Sequence, residues 1–453
     1  MNPSDPASSS DSQGASRPPY RDARYPARGS ELPVPGRRFL PLGLLLATAF
    51  LFGVMLDRAG WLGAAPGGEP AEVRKDFTPF WEAWDLVKDH YVDQKSVQPV
   101  KMTHYAIAGM LESLGDEGHT TFLSPEDVQR MKSGLEGQME GIGARISMRK
   151  HIPTIMQTMP DSPARKADLK PGDVLLEVNG KAVARLSLQQ IVEEVRGKAG
   201  TEVKLKVARE GAAGLIDVPI TRGKVEVPDV AWHMLPGEAY AHVAVQAFGQ
   251  KADDQLRQAL QGAKDQGAKG VLLDLRGNPG GLKDEAIKVT SEFLPTGDDV
   301  FIDQDAKGNR TAVPVIAGGT AEDVPICVLI DGGTASAAEI TAGALQDYER
   351  GKLVGERTFG TGTVLEPFGL SDGSAILLAT SEWLTPKGRQ IWHEGISPDV
   401  EVPLPEGSSV LLPEMEGDLD AAALKHTEDV QLLKALEVLK AQVEGKAKPD
   451  QGK

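Results

Sequence analysis

Two short apolar runs in the second half of the chain each end in a glycine turn and lead into a helical pattern. The first, 270–275, opens onto Arg276-Gly277-Asn278-Pro279-Gly280-Gly281. The second, Ile326–Ile330, opens onto Asp331-Gly332-Gly333-Thr334-Ala335-Ser336-Ala337-Ala338-Glu339. A strand that is apolar at nearly every position is buried on both faces, which a sheet achieves where crossover helices cover it. Strand patterns at 241–248, 270–275 and Ile326–Ile330 alternate with helical patterns at 250–266, 281–293 and 337–346. This alternation predicts an α/β core over residues 225–406, with its turns at the carboxyl ends of the strands, where sites form.

Ser336 lies at a strand-to-helix junction among small residues. A nucleophile there is exposed, uncrowded and next to free backbone N–H groups. Gly280 and Gly281 allow a second backbone to approach. The N–H of either glycine, with that of Ala337, would then form an oxyanion hole. Ser336 followed three residues on by Glu339 also fits a capping box. The residues alone leave both roles open.

The rest of the composition narrows the field. The net charge of −16 argues against nucleic acid as a partner. The single cysteine, Cys327, allows no intramolecular disulfide and sits in an apolar run, as a core thiol does. The histidines are widely spaced, with no His-Glu-x-x-His pair, and the glycine turns lack a P-loop ending. No metal or other cofactor is therefore expected.

At 453 residues the chain should hold several domains. Residues 1–38 read as a disordered tail with Arg17, Arg21, Arg24, Arg28, Arg37 and Arg38. Residues 39–62 are long and apolar enough for a transmembrane anchor. The preceding arginines place the tail in the cytoplasm and all that follows outside it, in the periplasm or at the cell surface. Gly63-Ala64-Ala65 offers a signal-cleavage site, but the leader is long for one, so a single-pass anchor in the cytoplasmic (inner) membrane is expected. Residues 63–76 form a linker and 77–134 a helical region, mainly helix over 77–131. A Gly-Asp-Glu-Gly-His-Thr turn falls at 115–120, with Ser124 and Pro125 opening a helix. The tail, 407–453, has one amphipathic segment through Val430, Leu433, Leu436 and Leu439, packed on the core or on another subunit of a homo-oligomer.

Over 135–224 the pattern changes to short strands with one helix at Leu188–Val195. Lys170-Pro171-Gly172-Asp173-Val174-Leu175-Leu176-Glu177-Val178-Asn179-Gly180 resembles a PDZ domain, with Asp168 where that family usually has glycine. The resemblance implies capture of an extended peptide as an added strand. Its C-terminal carboxylate would lie on the loop Gly141, Ile142, Gly143 and Ala144.

In order, the helical region, the PDZ-like segment, the two glycine turns, Val354-Gly355-Glu356-Arg357-Thr358-Phe359-Gly360 and Gly395-Ile396-Ser397-Pro398-Asp399-Val400 resemble the carboxyl-terminal processing (tail-specific) serine peptidases. The resemblance implies an α+β multidomain protein with a crotonase-like α/β core. It implies a serine endopeptidase that takes proteins by their C-termini, with Ser336 as nucleophile and Gly281 and Ala337 as oxyanion donors. The common members pair the serine with a lysine in Thr-Phe-Gly-Lys-Gly, oriented by a glutamine four residues on. Here those positions are Thr361 and Leu365, and neither side chain can serve as or orient a base. Histidine is the natural substitute. His119 resembles the histidine-bearing segment of the tricorn type, which makes it the candidate base. His393 is the alternative, with Glu394 as a candidate third member. A PDZ scaffold on a disabled peptidase core is the competing reading.

Overall fold

The computed structural model describes residues 72–446 except 117–118, 150–151, 406–407, 409 and 418. The tail and anchor expected over 1–62, and residues 63–71 of the expected linker, lie outside the described residues. Residues 72–97 belong to a unit of their own. Its helix, Thr78–His90, has proline in the first turn and stops where Tyr91 turns extended. Phe77, Phe80, Trp81 and Trp84 pack edge to face along it, with Phe80 and Trp81 centroids 5.0 Å apart.

The second unit opens with helix Pro99–Glu112. The helical reading of 77–131 therefore divides into separate helices, and it misses a strand at Thr121–Leu123. That strand pairs with Ala375–Leu384, and no local pattern announces a partner so far along the chain. Ser124 caps helix Pro125–Leu135 as expected: its Oγ accepts the Asp127 N–H at 3.2 Å, while Asp127 accepts the Ser124 N–H.

Strands Gln138–Gly141 and Gly223–Glu226 pair with each other where the chain enters and leaves a small β domain. Its main sheet runs Ala144–Arg149, Ile152–Thr158, Val174–Val178, Glu202–Ala208, Ile216–Thr221, which leaves Ala144–Arg149 as an edge. Ile155, Leu175, Ile191, Val203, Leu205 and Val207 fill its core. Asp168 adopts φ +59°, the conformation a glycine would take. Arg209 fastens that turn by donating to the Asp168 carbonyl and the Asp173 carboxylate, each at 2.7 Å.

The core sheet is ordered Val230–Met234, Ala241–Val245, Val271–Asp274, Ile326–Ile330, Gly351–Gly355, Val400–Glu401, parallel after its first pair. Side chains alternate between two buried faces. Ile326, Val328 and Ile330 join the cluster under helices Ala252–Asp265, Lys283–Ser291 and Ala337–Asp347. Cys327 and Leu329 face the other way, against Leu424, Leu432, Ala435, Leu436 and Leu439. Burial pushes the Cys327 thiol up to about 12, as befits a core residue. The amphipathic segment of the tail is thus helix Val430–Lys446 packed on the sheet of its own chain, through Leu432 and Ala435 more than Val430 or Leu433. The helix expected over 281–293 starts at Lys283, because Gly281 is held in a bridge to Phe248.

Candidate active site

Ser336 adopts φ +57° and ψ −122°, a strained conformation for a residue with a Cβ. A serine that only capped a helix would sit in the ordinary extended region. Its hydroxyl makes no cap bond: the Glu339 N–H goes to the Ser336 carbonyl at 2.8 Å. Half of the expected capping box remains, since the Ser336 N–H donates to Glu339 Oε2 at 2.9 Å.

Glu339 is fully buried and does more than cap. It accepts the N–H groups of Gly360 at 2.7 Å and Thr361 at 2.9 Å, and the Thr358 hydroxyl. Burial raises its pKa, against the pull of these bonds. One carboxylate thus ties the serine turn to the segment 358–361.

The first glycine turn lies against the second. A Cβ on Gly280 would stand 2.6 Å from Ser336 Cβ and 2.9 Å from the Ala337 nitrogen. Asn278 shapes the turn from inside: Nδ2 donates to the Val245 carbonyl at 2.6 Å, and Oδ1 accepts the Gly280 N–H at 2.8 Å. The Gly280 N–H is therefore engaged. Those of Gly281 and Ala337 donate to nothing among the described residues. Asp331 Oδ1 joins the turns by accepting from Gly277 at 2.8 Å and Gly333 at 2.9 Å.

His119 is 4% exposed, and its Nδ1 lies 2.9 Å from Oδ1 of Asp116, itself 8% exposed. Asp116 also accepts from the Thr120 hydroxyl at 2.6 Å and from Trp392 Nε1 at 3.3 Å. Despite burial, the bonds from Thr120 and His119 lower the Asp116 pKa. Among the described residues, His119 Nε2 is buried without a partner. Its ring lies edge-on to Phe359, centroids 5.6 Å apart, and the Phe359 N–H donates to the Thr334 carbonyl at 3.0 Å. Among the described residues no hydrogen bond joins Ser336 Oγ to any histidine. His393 is exposed at φ +61°, its ring 5.9 Å from that of His119, and Glu394 is exposed with no side-chain bond among the described residues.

Residues 239–402 match peptidase family S41, and residues 154–209 match the PDZ domain family. The carboxy-terminal processing protease CtpA of Bacillus subtilis (strain 168) is 34% identical over 74% of this chain and 71% of its own length. A carboxy-terminal-processing protease of Bartonella bacilliformis is 32% identical over 83% of this chain and 91% of its own. The chain belongs to peptidase family S41. An S41 protease structure from Bacteroides fragilis NCTC 9343 shares the fold at 18% identity, with a TM-score of 0.51 over 80% of this chain and 98% of that one. S41 enzymes are serine-type peptidases, and this chain joins their catalytic fold to a PDZ domain.

Within that family frame, Thr361 is buried and its hydroxyl makes no hydrogen bond among the described residues, while Leu365 is half-buried in strand Thr363–Gly369. Lys352 spends its ammonium on Asp399 at 3.1 Å, and Arg357 is exposed. The carboxylate on His119 is Asp116, which sequence reasoning passed over. The i to i+3 spacing within the turn at 115–120 was the available signal. In the PDZ domain, the N–H groups of Ile142 and Gly143 donate to nothing among the described residues. Gly143, at φ +71°, has no room for a side chain: a Cβ would lie 2.5 Å from Ser162 Cβ. The Ile142 side chain belongs to the domain core.

Proposed function

We propose that this S41 peptidase is a membrane-anchored serine endopeptidase acting outside the cytoplasm, with Ser336 as nucleophile, His119 as general base and Asp116 orienting that base. The observation that carries the base is the pairing of an engaged Nδ1 with a buried, unpartnered Nε2 on one imidazole. A carboxylate on Nδ1 fixes the tautomer that leaves Nε2 free to accept a proton. Ser336 Oγ attacks the scissile carbonyl as Nε2 takes its proton. The oxyanion of the tetrahedral intermediate meets the N–H groups of Gly281 and Ala337. His119 returns the proton to the leaving amine, and water then releases the acyl group by the same steps.

The PDZ domain brings substrates in by their C-termini. The free N–H groups of Ile142 and Gly143, beside the unpaired edge Ala144–Arg149, suit a terminal carboxylate and an added strand. The arginine-flanked apolar run over 39–62 supports the anchor and the outward placement. Fluorophosphonate labelling tests the chemistry. Labelling of the full chain should vanish in Ser336→Ala and fall steeply in His119→Ala, with His393→Ala close to wild type. Undiminished labelling in His119→Ala would remove that base. Absence of labelling throughout would favour a PDZ scaffold on a disabled core, the reading that Thr361 and Leu365 support.

A further inference from the structure

The turn that carries Gly281 has a second support, on the sheet face that helix Val430–Lys446 covers. His242 and Asp274 lie on adjacent strands and point to that face. His242 is wholly buried between two carboxylates, with Nδ1 2.7 Å from Glu416 Oε1 and Nε2 3.0 Å from Asp274 Oδ2. Both ring nitrogens face carboxylate oxygens, an arrangement that favours the doubly protonated imidazolium. Although burial opposes it, the bonds from Asp274 and Glu416 push its pKa up to about 9.

Asp274 ends its strand, and Arg276, two residues on, begins the turn. The Arg276 N–H donates to Asp274 Oδ1 at 2.9 Å, and its guanidinium grips the same carboxylate through Nε and Nη2. Nη1 reaches across to Asp429 at 2.8 Å and Gln431 at 3.2 Å. Asp429 is fixed by its own segment, since it accepts the N–H groups of Leu411 and Leu432, each at 2.9 Å. From Arg276 the chain passes to Gly277, whose N–H is bonded to Asp331 of the serine turn.

We propose that the C-terminal segment 411–432 sets the position of the oxyanion turn, with Glu416 and Asp429 as positioning residues acting through His242, Asp274 and Arg276. The proposal rests on the reading of Gly281 as an oxyanion donor. Buried ion pairs of this kind often add little net stability over apolar replacements. What this one fixes is the register of a strand end, and a donor misplaced by about 1 Å can cost on the order of a hundredfold in rate.

The test compares the full chain with a His242→Leu/Glu416→Met double variant, which replaces the pair by apolar side chains, and with Asp429→Asn. Two readouts are taken: fluorophosphonate labelling as a function of probe concentration, and hydrogen exchange of the peptide 275–282. In both variants the maximal labelling rate should fall at least about tenfold while the half-saturating probe concentration stays within about twofold. Exchange of 275–282 should quicken by about tenfold or more. A folded variant with unchanged labelling and unchanged exchange overturns the proposal, even if its melting temperature drops. If the double variant does not fold, Asp429→Asn decides by the same readouts. If the wild type itself does not label, the nucleophile reading fails, and exchange of 275–282 still decides this one.

Discussion

Glu339 Oε2 accepts the backbone N–H of Ser336 at 2.9 Å, three residues along the start of the same helix. The same oxygen accepts the Thr361 N–H at 2.9 Å. The strained serine turn is therefore held from the segment 358–361. Glu339→Ala would leave four donors without a partner: the N–H groups of Ser336, Gly360 and Thr361 and the Thr358 hydroxyl. Each unsatisfied buried donor costs about 1–3 kcal/mol before relaxation. A loss of at least ~3 kcal/mol in urea unfolding is expected, with labelling of Ser336 reduced more than about tenfold. Glu339→Gln, which keeps one carbonyl acceptor, should fall between.

Asp116→Asn tests the orientation of His119 without changing the size of the side chain. An amide can donate to Nδ1 and so favour the tautomer with its proton on Nε2, which cannot accept from a serine. A fall in labelling and turnover of at least about a hundredfold is expected, in line with the tautomer penalty in serine triads. Asp116 also holds Thr120 and Trp392, so circular dichroism must first show the variant folded. Activity within twofold of wild type would show that Asp116 does not orient the base.

Much of this was legible in the sequence because it is local. The apolar runs at 270–275 and Ile326–Ile330 gave away a sheet covered on both faces, and Ser124, Pro125 and the Leu188–Val195 helix lie where capping chemistry and periodicity put them. What stayed hidden depends on pairing at a distance. Thr121–Leu123 is a strand only because Ala375–Leu384 receives it. His242 reads as an ordinary strand histidine until Glu416 arrives from the far end of the chain. The conformation that sets Ser336 apart from a plain helix cap lies in a backbone dihedral, which residue identity does not encode.

Gly280→Ala probes the contact between the two turns. The added Cβ would meet Ser336 Cβ at 2.6 Å and the backbone nitrogen of Ala337 at 2.9 Å, and the residue already sits at φ +97°. The obstacle is backbone and a fixed Cβ, so no flexible side chain can yield. The serine turn must shift, and labelling should drop by at least about a hundredfold while peptide binding to the PDZ domain stays unchanged. Isothermal titration with a C-terminal peptide, run beside the labelling assay, separates the two effects.

The buried imidazolium of His242 predicts how stability varies with pH. Its pKa rises from an ordinary 6.5 to about 9 on folding, against burial and because of Asp274 and Glu416. Between those values the folded chain holds a proton that the unfolded chain releases, so raising the pH favours unfolding. The contribution is fully present below pH 6.5 and is lost as the pH passes through about 9. Burial also raises the Glu416 pKa, which acts in the same sense at lower pH. Asp274, held low by Arg276 and His242 despite its burial, acts oppositely and loses its contribution in acid. The urea midpoint of the full chain should therefore decline from pH 6.5 to 9, and in the His242→Leu/Glu416→Met variant that decline should flatten. An equally steep decline in the variant would mean that another group carries the titration.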